Sequence, residues 1–496
     1  MVSFSNKGEK RPADACFRRM TPPAEPAVAP LPAVPGAARQ SGLSLRTSLA
    51  YGAGNFAFAM LGLVVAVNLQ FFYTDYVGLA AGLVAWSLLF ARVFDSFADP
   101  VMAYVSDRTR FRLGRRRPYI LGSAIPLGAA FYFLFTPPAA ADPVASQGVL
   151  LVYMVALYTL TYVIWTIGAI PYYGLGAELT DDYHERTRVI AVREAFSLAG
   201  LLVATLLPAY LIDLYGGRAG YSFMGAILGA GVAFFLLVSG AFTAERAAFR
   251  ALPPSLGPYA GWLETLRNPH FRRLLWAFVL AAIAGAVPAT LVIYVAVYVI
   301  GTPPWWTASI PSWMPTWSYY LLVYFLSGVL ALPFWSAIGR RFGKRATWGI
   351  AIALATATSA ACFWLRPGSI GLFTVILVFG GIAFGNHIAL PPSMVADLID
   401  WDEARTGSRR EGSYFGIWSF ATKFANAFTG FAALQVLEHV GYVPGVPQSP
   451  RVIIAMLWMY SWFPAAFYLL AGIALARFRF THDDLDAVQR TLGRSN

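Results

Sequence analysis

Leu88-Leu89-Phe90-Ala91-Arg92-Val93-Phe94-Asp95-Ser96-Phe97-Ala98-Asp99-Pro100-Val101-Met102-Ala103-Tyr104 is an apolar helical run with two carboxylates inside it, followed at once by the arginine-rich segment Asp107 to Arg117. With the residues before it, the run is long enough to cross a bilayer, which takes about 20 mostly apolar residues. Asp95 and Asp99 stand at i and i+4 and so share one helix face. An ionised Asp at the centre of a membrane helix costs roughly 2.5–3.5 kcal/mol even on the lenient insertion scale. A pair of them needs a partner or a task.

The composition around this run agrees with a membrane setting. Hydrophobic residues make up 58% of 496 and charged residues 12%, with a mean hydropathy of +0.58, which argues against a soluble multidomain enzyme. The formal net charge of +12 does not point to nucleic acid, because the arginines fall in short clusters between apolar segments. Cys16 lies in a polar tail and Cys362 in an apolar span, so neither a disulfide framework nor a cysteine metal site is available. No nucleophile with a base and no cluster of metal-ligand spacing stands out, so neither an enzyme nor a cofactor is expected.

Apolar runs recur twelve times, near 49–73, 79–105, 118–137, 148–173, 189–213, 221–242, 274–300, 317–338, 346–365, 371–395, 411–439 and 452–477. An all-α polytopic membrane protein of twelve transmembrane helices follows. Basic residues set its orientation: the loops holding Arg108 to Arg117, Arg186 and Arg188, Arg340 to Arg345, and Arg405 to Arg410 lie on one side. The loops around Pro137 to Gln147, Gly301 to Thr316 and Gly441 to Pro450 contain no Lys or Arg. The positive-inside rule makes the first set cytoplasmic, and an even number of spans puts both termini there. A plasma (inner) membrane location is expected, with membrane lipids as surroundings.

The expected organisation is a disordered cytoplasmic tail over 1–46, a six-helix lobe over 47–243, a cytoplasmic linker over 244–273, a second six-helix lobe over 274–477 and a cytoplasmic tail over 478–496. Within that last tail, Thr481 to Leu492 reads as a short surface helix. An internal repeat supports the two lobes. The loop after the second span ends Gly114-Arg115-Arg116-Arg117, and the loop after the eighth ends Gly343-Lys344-Arg345. Equivalent loops are what parallel repeats about an axis along the membrane normal produce.

These Gly-containing basic loops resemble the signature of the major facilitator superfamily. Four further stretches resemble its glycoside-pentoside-hexuronide cation symporter branch, typified by the melibiose permease: Tyr51-Gly52-Ala53-Gly54-Asn55, Arg92 to Pro100, Ile170-Pro171-Tyr172 through Glu185-Arg186, and Asp397 to Glu403. The resemblance spans about 49–477 and implies the major facilitator fold and cation-coupled symport by alternating access. It places Asp95 and Asp99 at the family's cation site and matches Thr166 to a threonine near it. Arg193 matches an arginine that faces the central cavity, and Lys423 matches the lysine of span eleven. Two departures stand out: Ala169 and Ala59 occupy positions where the melibiose permease carries acids, one near the cation site and one that binds sugar. The loss weakens both sodium coordination and galactoside recognition, leaving H⁺ and Na⁺ both open as the coupling ion.

Two like charges one turn apart in a low-dielectric site hold a proton or a cation between them. The alternative for Asp95 and Asp99 is a structural salt bridge with Arg92 on the same helix. For Thr166 it is a hydroxyl bonded back to its own helix. Lys423, deep in its span, needs a counter-charge, with Asp95 or Asp99 the natural candidate and snorkelling the alternative. Lys423 and Arg193 are the charged candidates for substrate contact, while Glu194 could simply neutralise Arg193. Trp165, Tyr172 and Trp418 are aromatic candidates for the wall of a substrate site, although most aromatics in such a chain are packing residues. His387 reads as a neutral buried histidine or a proton relay, and the Trp-rich loop after span seven as an interfacial cap or lid. Asp107, Arg115, Arg116, Glu178, Arg186, Asp397 and Glu403 form a cytoplasmic set suited to interlobe gating pairs, or to topology and loop solubility alone.

The function that follows is symport of a small polar organic solute such as a glycoside, pentoside or hexuronide. The alternative is a lysolipid or other amphipathic solute, carried by a symporter of the same architecture, which would suit the missing span-one acid. A non-transporting receptor would not need the Asp95, Asp99 and Lys423 set. The expected partners are the solute and the coupling cation, not nucleic acid, and a monomer is expected.

Overall fold

Ser44 opens the first helix, its side-chain oxygen accepting the Thr47 N–H at 3.1 Å and satisfying one donor that a helix start leaves open. The computed structural model describes residues 43–138, 146–180, 183–245, 261–311, 313–406 and 410–478, with 480 and 488 besides. The expected tail as far as residue 42, and all of the expected terminal helix but Val488, lie outside the described residues.

The first lobe holds α1 (Leu45–Phe71), α2 (Ala81–Arg108), α3 (Arg117–Leu134), α4 (Gln147–Glu178), α5 (Tyr183–Tyr215) and α6 (Gly217–Phe242). A short helix, α7 (Trp262–Arg267), precedes α8 (Pro269–Tyr294), α9 (Pro304–Ser309), α10 (Thr316–Leu330), α11 (Leu332–Ala361), α12 (Ile370–Thr406), α13 (Glu411–His439), α14 (Pro450–Tyr460) and α15 (Trp462–Ala476). Helices lie over every one of the twelve expected segments. Among the described residues, nine helices are long and apolar enough to cross a membrane by themselves.

Two spans are interrupted where the sequence reads as continuous. The eighth combines α10 with the first part of α11, after a break at Ala331 and ahead of Pro333. The twelfth is α14 and α15, separated at Ser461. The expected loop at Ser336 to Arg345 is shorter than the sequence implies, because helix continues on both sides of Gly343, which takes φ 78° and ψ 160°. Its counterpart Gly114 has φ 114°. Both basic loops therefore turn on a glycine in the left-handed region, a conformation closed to most side chains.

The lobes meet in a reciprocal pattern. α1 packs on α8, α2 on α13, and α5 on α10, so the first span of each lobe faces the other's first, and the second of each faces the other's fifth. A two-fold relation between parallel repeats produces this pairing. The first helix of each lobe also ends alike, in a π-helical turn, Phe72–Val77 after α1 and Val295–Ile300 after α8, each closed by a positive-φ glycine, Gly78 and Gly301.

Candidate cation and substrate site

Asp95 and Asp99 lie on α2, which packs between α4 of its own lobe and α13 of the other. Both carboxylates are buried. The Thr166 hydroxyl, from α4, stands 2.7 Å from Asp95 Oδ1 and 3.0 Å from Asp99 Oδ1. Its single proton serves one oxygen at a time. From α13, Lys423 Nζ lies 2.8 Å from Asp95 Oδ2 and 2.7 Å from Asp99 Oδ2, and the Ser419 hydroxyl donates to Asp99 at 3.2 Å. The structure thus brings together Asp95, Asp99, Thr166 and Lys423 and adds Ser419, which sequence reasoning missed. Lys423 is a counter-charge to the acids; it does not line the central cavity.

Two carboxylates and one ammonium leave the cluster one negative charge in excess. Such a cluster favours capture of one proton or one small cation. Its members come from both lobes.

A cavity of about 660 Å³ lies between the lobes, within the range of small-molecule sites. Trp165 lines it, packed at 5.4 Å against Phe58, and so do Ala59 and His387. The His387 ring stacks on Phe278 at 5.2 Å. Two aromatic candidates belong to the packing instead. Tyr172 is wholly buried, stacked on Tyr51 at 4.6 Å with its hydroxyl donating to the Tyr51 carbonyl. Trp418 stacks on Phe278 at 3.7 Å, behind the wall. Arg193 is held by the adjacent Glu194 carboxylate at 2.5 Å, and it too is absent from the wall.

Five of the seven residues expected to gate between lobes make ion pairs inside a single lobe. Arg115 and Arg116 both reach Glu178, at 2.5 and 2.6 Å, and Arg116 also reaches Asp107 at 3.2 Å. All four belong to the first lobe. Burial pushes the Glu178 carboxyl above its ordinary value, with Arg116 and Arg115 pulling it back. Lys344 holds Asp397 at 2.7 Å inside the second lobe. Arg186 lies in α5 with its side chain outside the described residues, and Glu403 lies partly buried near the end of α12.

Further interlobe contacts lie at the tryptophan-rich end. Asp75, in the π turn after α1, accepts hydrogen bonds from Tyr298 and from Tyr442, the latter at 2.8 and 2.7 Å to its two oxygens. Thr74 and Tyr294 join their hydroxyls at 2.9 Å, and the Gly82 N–H donates to Glu438 at 3.1 Å. Asp75 stands at the end of its span, where an acid is ordinary, so the sequence alone does not single it out. The Trp-rich loop folds on itself, with the Trp306 ring nitrogen donating to the Met314 carbonyl at 3.2 Å.

Comparison with known proteins agrees with this build. A family profile described as MFS/sugar transport protein matches residues 50–482. The inner membrane symporter YicJ of Escherichia coli (strain K12) is 27% identical over 459 residues, covering 91% of this chain and 95% of that relative. The glucuronide carrier protein homolog of the same organism is 29% identical over 452 residues, covering 87% of this chain and 92% of its own. Among solved structures, the inward open conformation of the xylose transporter XylE from E. coli shares the fold, with a TM-score of 0.61 at 15% identity over 89% of this chain and 98% of that one. A match running through both lobes, on helices arranged as described, means that this chain belongs to the MFS/sugar transport protein family and is a membrane transporter, not an enzyme.

Proposed function

We propose that the chain is a symporter that moves a glycoside, pentoside or hexuronide through the central cavity by alternating access, driven by H⁺ or Na⁺ at Asp95 and Asp99. The observation that carries this reading is the cluster of Asp95, Asp99, Thr166 and Lys423 across the lobe interface. When the acid pair takes up a cation, its hold on the Lys423 ammonium weakens, and the contact between α2 and α13 loosens at the point where the lobes must part. Relatives that carry the names of a symporter and a glucuronide carrier support the substrate class. The inner membrane, with the arginine-rich loops and both termini on the cytoplasmic side, is the proposed setting, and a monomer the proposed unit.

The test is uptake into proteoliposomes under an imposed proton or sodium gradient. Wild type should accumulate a glycoside with one of the two ions, and Asp95→Asn should equilibrate without accumulating. Undiminished accumulation by Asp95→Asn with either gradient would remove the acid pair from coupling. A thermal-shift screen of sugars against lysolipids, with and without Na⁺, separates the polar from the amphipathic substrate, since only one class should raise the melting temperature.

A further inference from the structure

Among the described residues lining the cavity, Arg92 is the only Asp, Glu, Lys or Arg. Its Nε donates to the Tyr158 hydroxyl at 3.1 Å, and its guanidinium carbon lies 4.1 Å over the Tyr162 ring. Both partners are neutral, and Arg92 enters none of the ion pairs made by the described residues. The terminal guanidinium nitrogens make no hydrogen bond to a described residue. A solute in this cavity therefore meets one fixed positive charge with unused, forked donors, and no carboxylate.

The charge balance of the neighbourhood gives that observation a direction. Asp95 and Asp99 contribute two negative charges, and Lys423 and Arg92 two positive ones, so the four sum to zero. Arg92 stands three residues before Asp95, on the same helix face, where the excess negative charge of the acid cluster offsets it. A coupling cation at the acids removes that excess and leaves Arg92 as an uncompensated charge facing the cavity. Low dielectric makes such a charge costly. Ala59, on the cavity wall, and Ala169, buried on α4, supply no acid to cancel it.

We propose that the transported solute is a monoanion, a sugar bearing a carboxylate or a sulfonate, and that Arg92 receives its anionic group. This rests on the symport reading and narrows its substrate class. The guanidinium fork matches the oxygens of such a group two at a time. Coupling then follows from electrostatics: the cation unmasks Arg92 for the anion, and by linkage the anion raises the affinity for the cation by the same factor.

Binding to the purified full-length protein tests the proposal, with methyl β-glucuronide, a sulfonated methyl glucoside and neutral methyl β-glucoside as probes, in Na⁺ and in Na⁺-free acidic buffer. The carboxylate or the sulfonate should bind at least about tenfold tighter than the neutral glycoside, a difference of about 1.4 kcal/mol. Which of the two binds tighter identifies the anionic group. Arg92→Gln should erase the preference and Arg92→Lys keep part of it. Ala59→Asp, which places a carboxylate on the wall, should lower anion affinity by a similar factor and decides the matter if Arg92→Gln does not fold. Neutral glycoside binding as tightly as the anions, or a folded Arg92→Gln or Ala59→Asp that keeps the preference, would overturn the proposal. Accumulation of the neutral sugar alone sinks the anion inference and leaves symport standing, whereas binding of a lysolipid and no sugar sinks both.

Discussion

Lys423 Nζ, on α13 of the second lobe, lies 2.7 Å from Asp99 Oδ1, on α2 of the first. The contact joins the lobes and belongs to the three-charge cluster that a coupling ion would disturb under the proposed symport. Removing one member of a buried charge pair costs about 3–5 kcal/mol, mostly because the other is left unpaired. Lys423→Ala should therefore lower the thermal unfolding midpoint and abolish accumulation, while Lys423→Ala combined with Asp99→Ala should recover part of the stability and none of the coupling. Thermal unfolding in detergent and gradient-driven uptake read the two effects separately. A stable single variant that still accumulates solute would show the ion pair to be dispensable.

Asp75 and its tyrosines tie the lobes together at the tryptophan-rich end. A hydrogen bond to a charged group is worth about 1.5–3 kcal/mol, so removing the Tyr442 hydroxyl should raise the population open at that end by roughly 10- to 150-fold. Cys362 lines the cavity and reports this directly. In Cys16→Ser protein, Tyr442→Phe should speed the reaction of Cys362 with an impermeant thiol reagent added from the tryptophan-rich side. An unchanged rate would mean that Asp75 and Tyr442 do not hold that end shut.

Glu245 closes the basic loop of the first lobe, accepting the backbone N–H groups of Arg115, Arg116 and Arg117 at 2.6, 2.6 and 2.8 Å. A carboxylate on the open N–H groups at the start of α3 is favourable for both charge and hydrogen bonding. Glu245→Ala should cost about 1.5–3 kcal/mol. Gly114→Ala should be at least as damaging, since its φ is 114° and an added Cβ would sit 2.5 Å from Glu245 Oε2. Both are measured by thermal unfolding; near-wild-type midpoints would show the loop to be tolerant.

Helix packing within the first lobe depends on Gly128 of α3 and Gly229 of α6. A Cβ on Gly128 would come within 2.3 Å of the Gly229 carbonyl oxygen, and one on Gly229 within 2.5 Å of the Gly128 oxygen. These are backbone atoms and cannot swing aside, as expected where small residues let membrane helices approach. Gly128→Val should separate the two helices and reduce folded protein several-fold, measured as the monodisperse fraction on size exclusion. Gly122→Ala, with nothing within 4 Å of its added Cβ, is the control and should behave as wild type.

The sequence by itself determined the helical, two-lobed membrane plan, because length, hydropathy and the spacing of basic loops are local properties that a bilayer reads directly. The repeated glycine before the basic residues of both lobes was legible for the same reason, and Gly114 and Gly343 both take the conformation that calls for glycine. Asp95 and Asp99 were conspicuous as acids in an apolar helix, and the need of Lys423 for a counter-charge pointed to them. The tertiary structure alone decided which groups each charge faces. Lys423 belongs to the acids, Arg193 to Glu194, and Arg115 and Arg116 to Glu178 within their own lobe. In the sequence, Arg92 reads only as a possible salt-bridge partner for the acids. That it also lines the cavity depends on how α2, α4 and α13 pack, since helical periodicity fixes a face without naming what lies opposite. The same reason sends Tyr172 and Trp418 behind the wall, leaves Trp165 on it, and turns Asp75 from an ordinary span-end acid into a tie between the lobes.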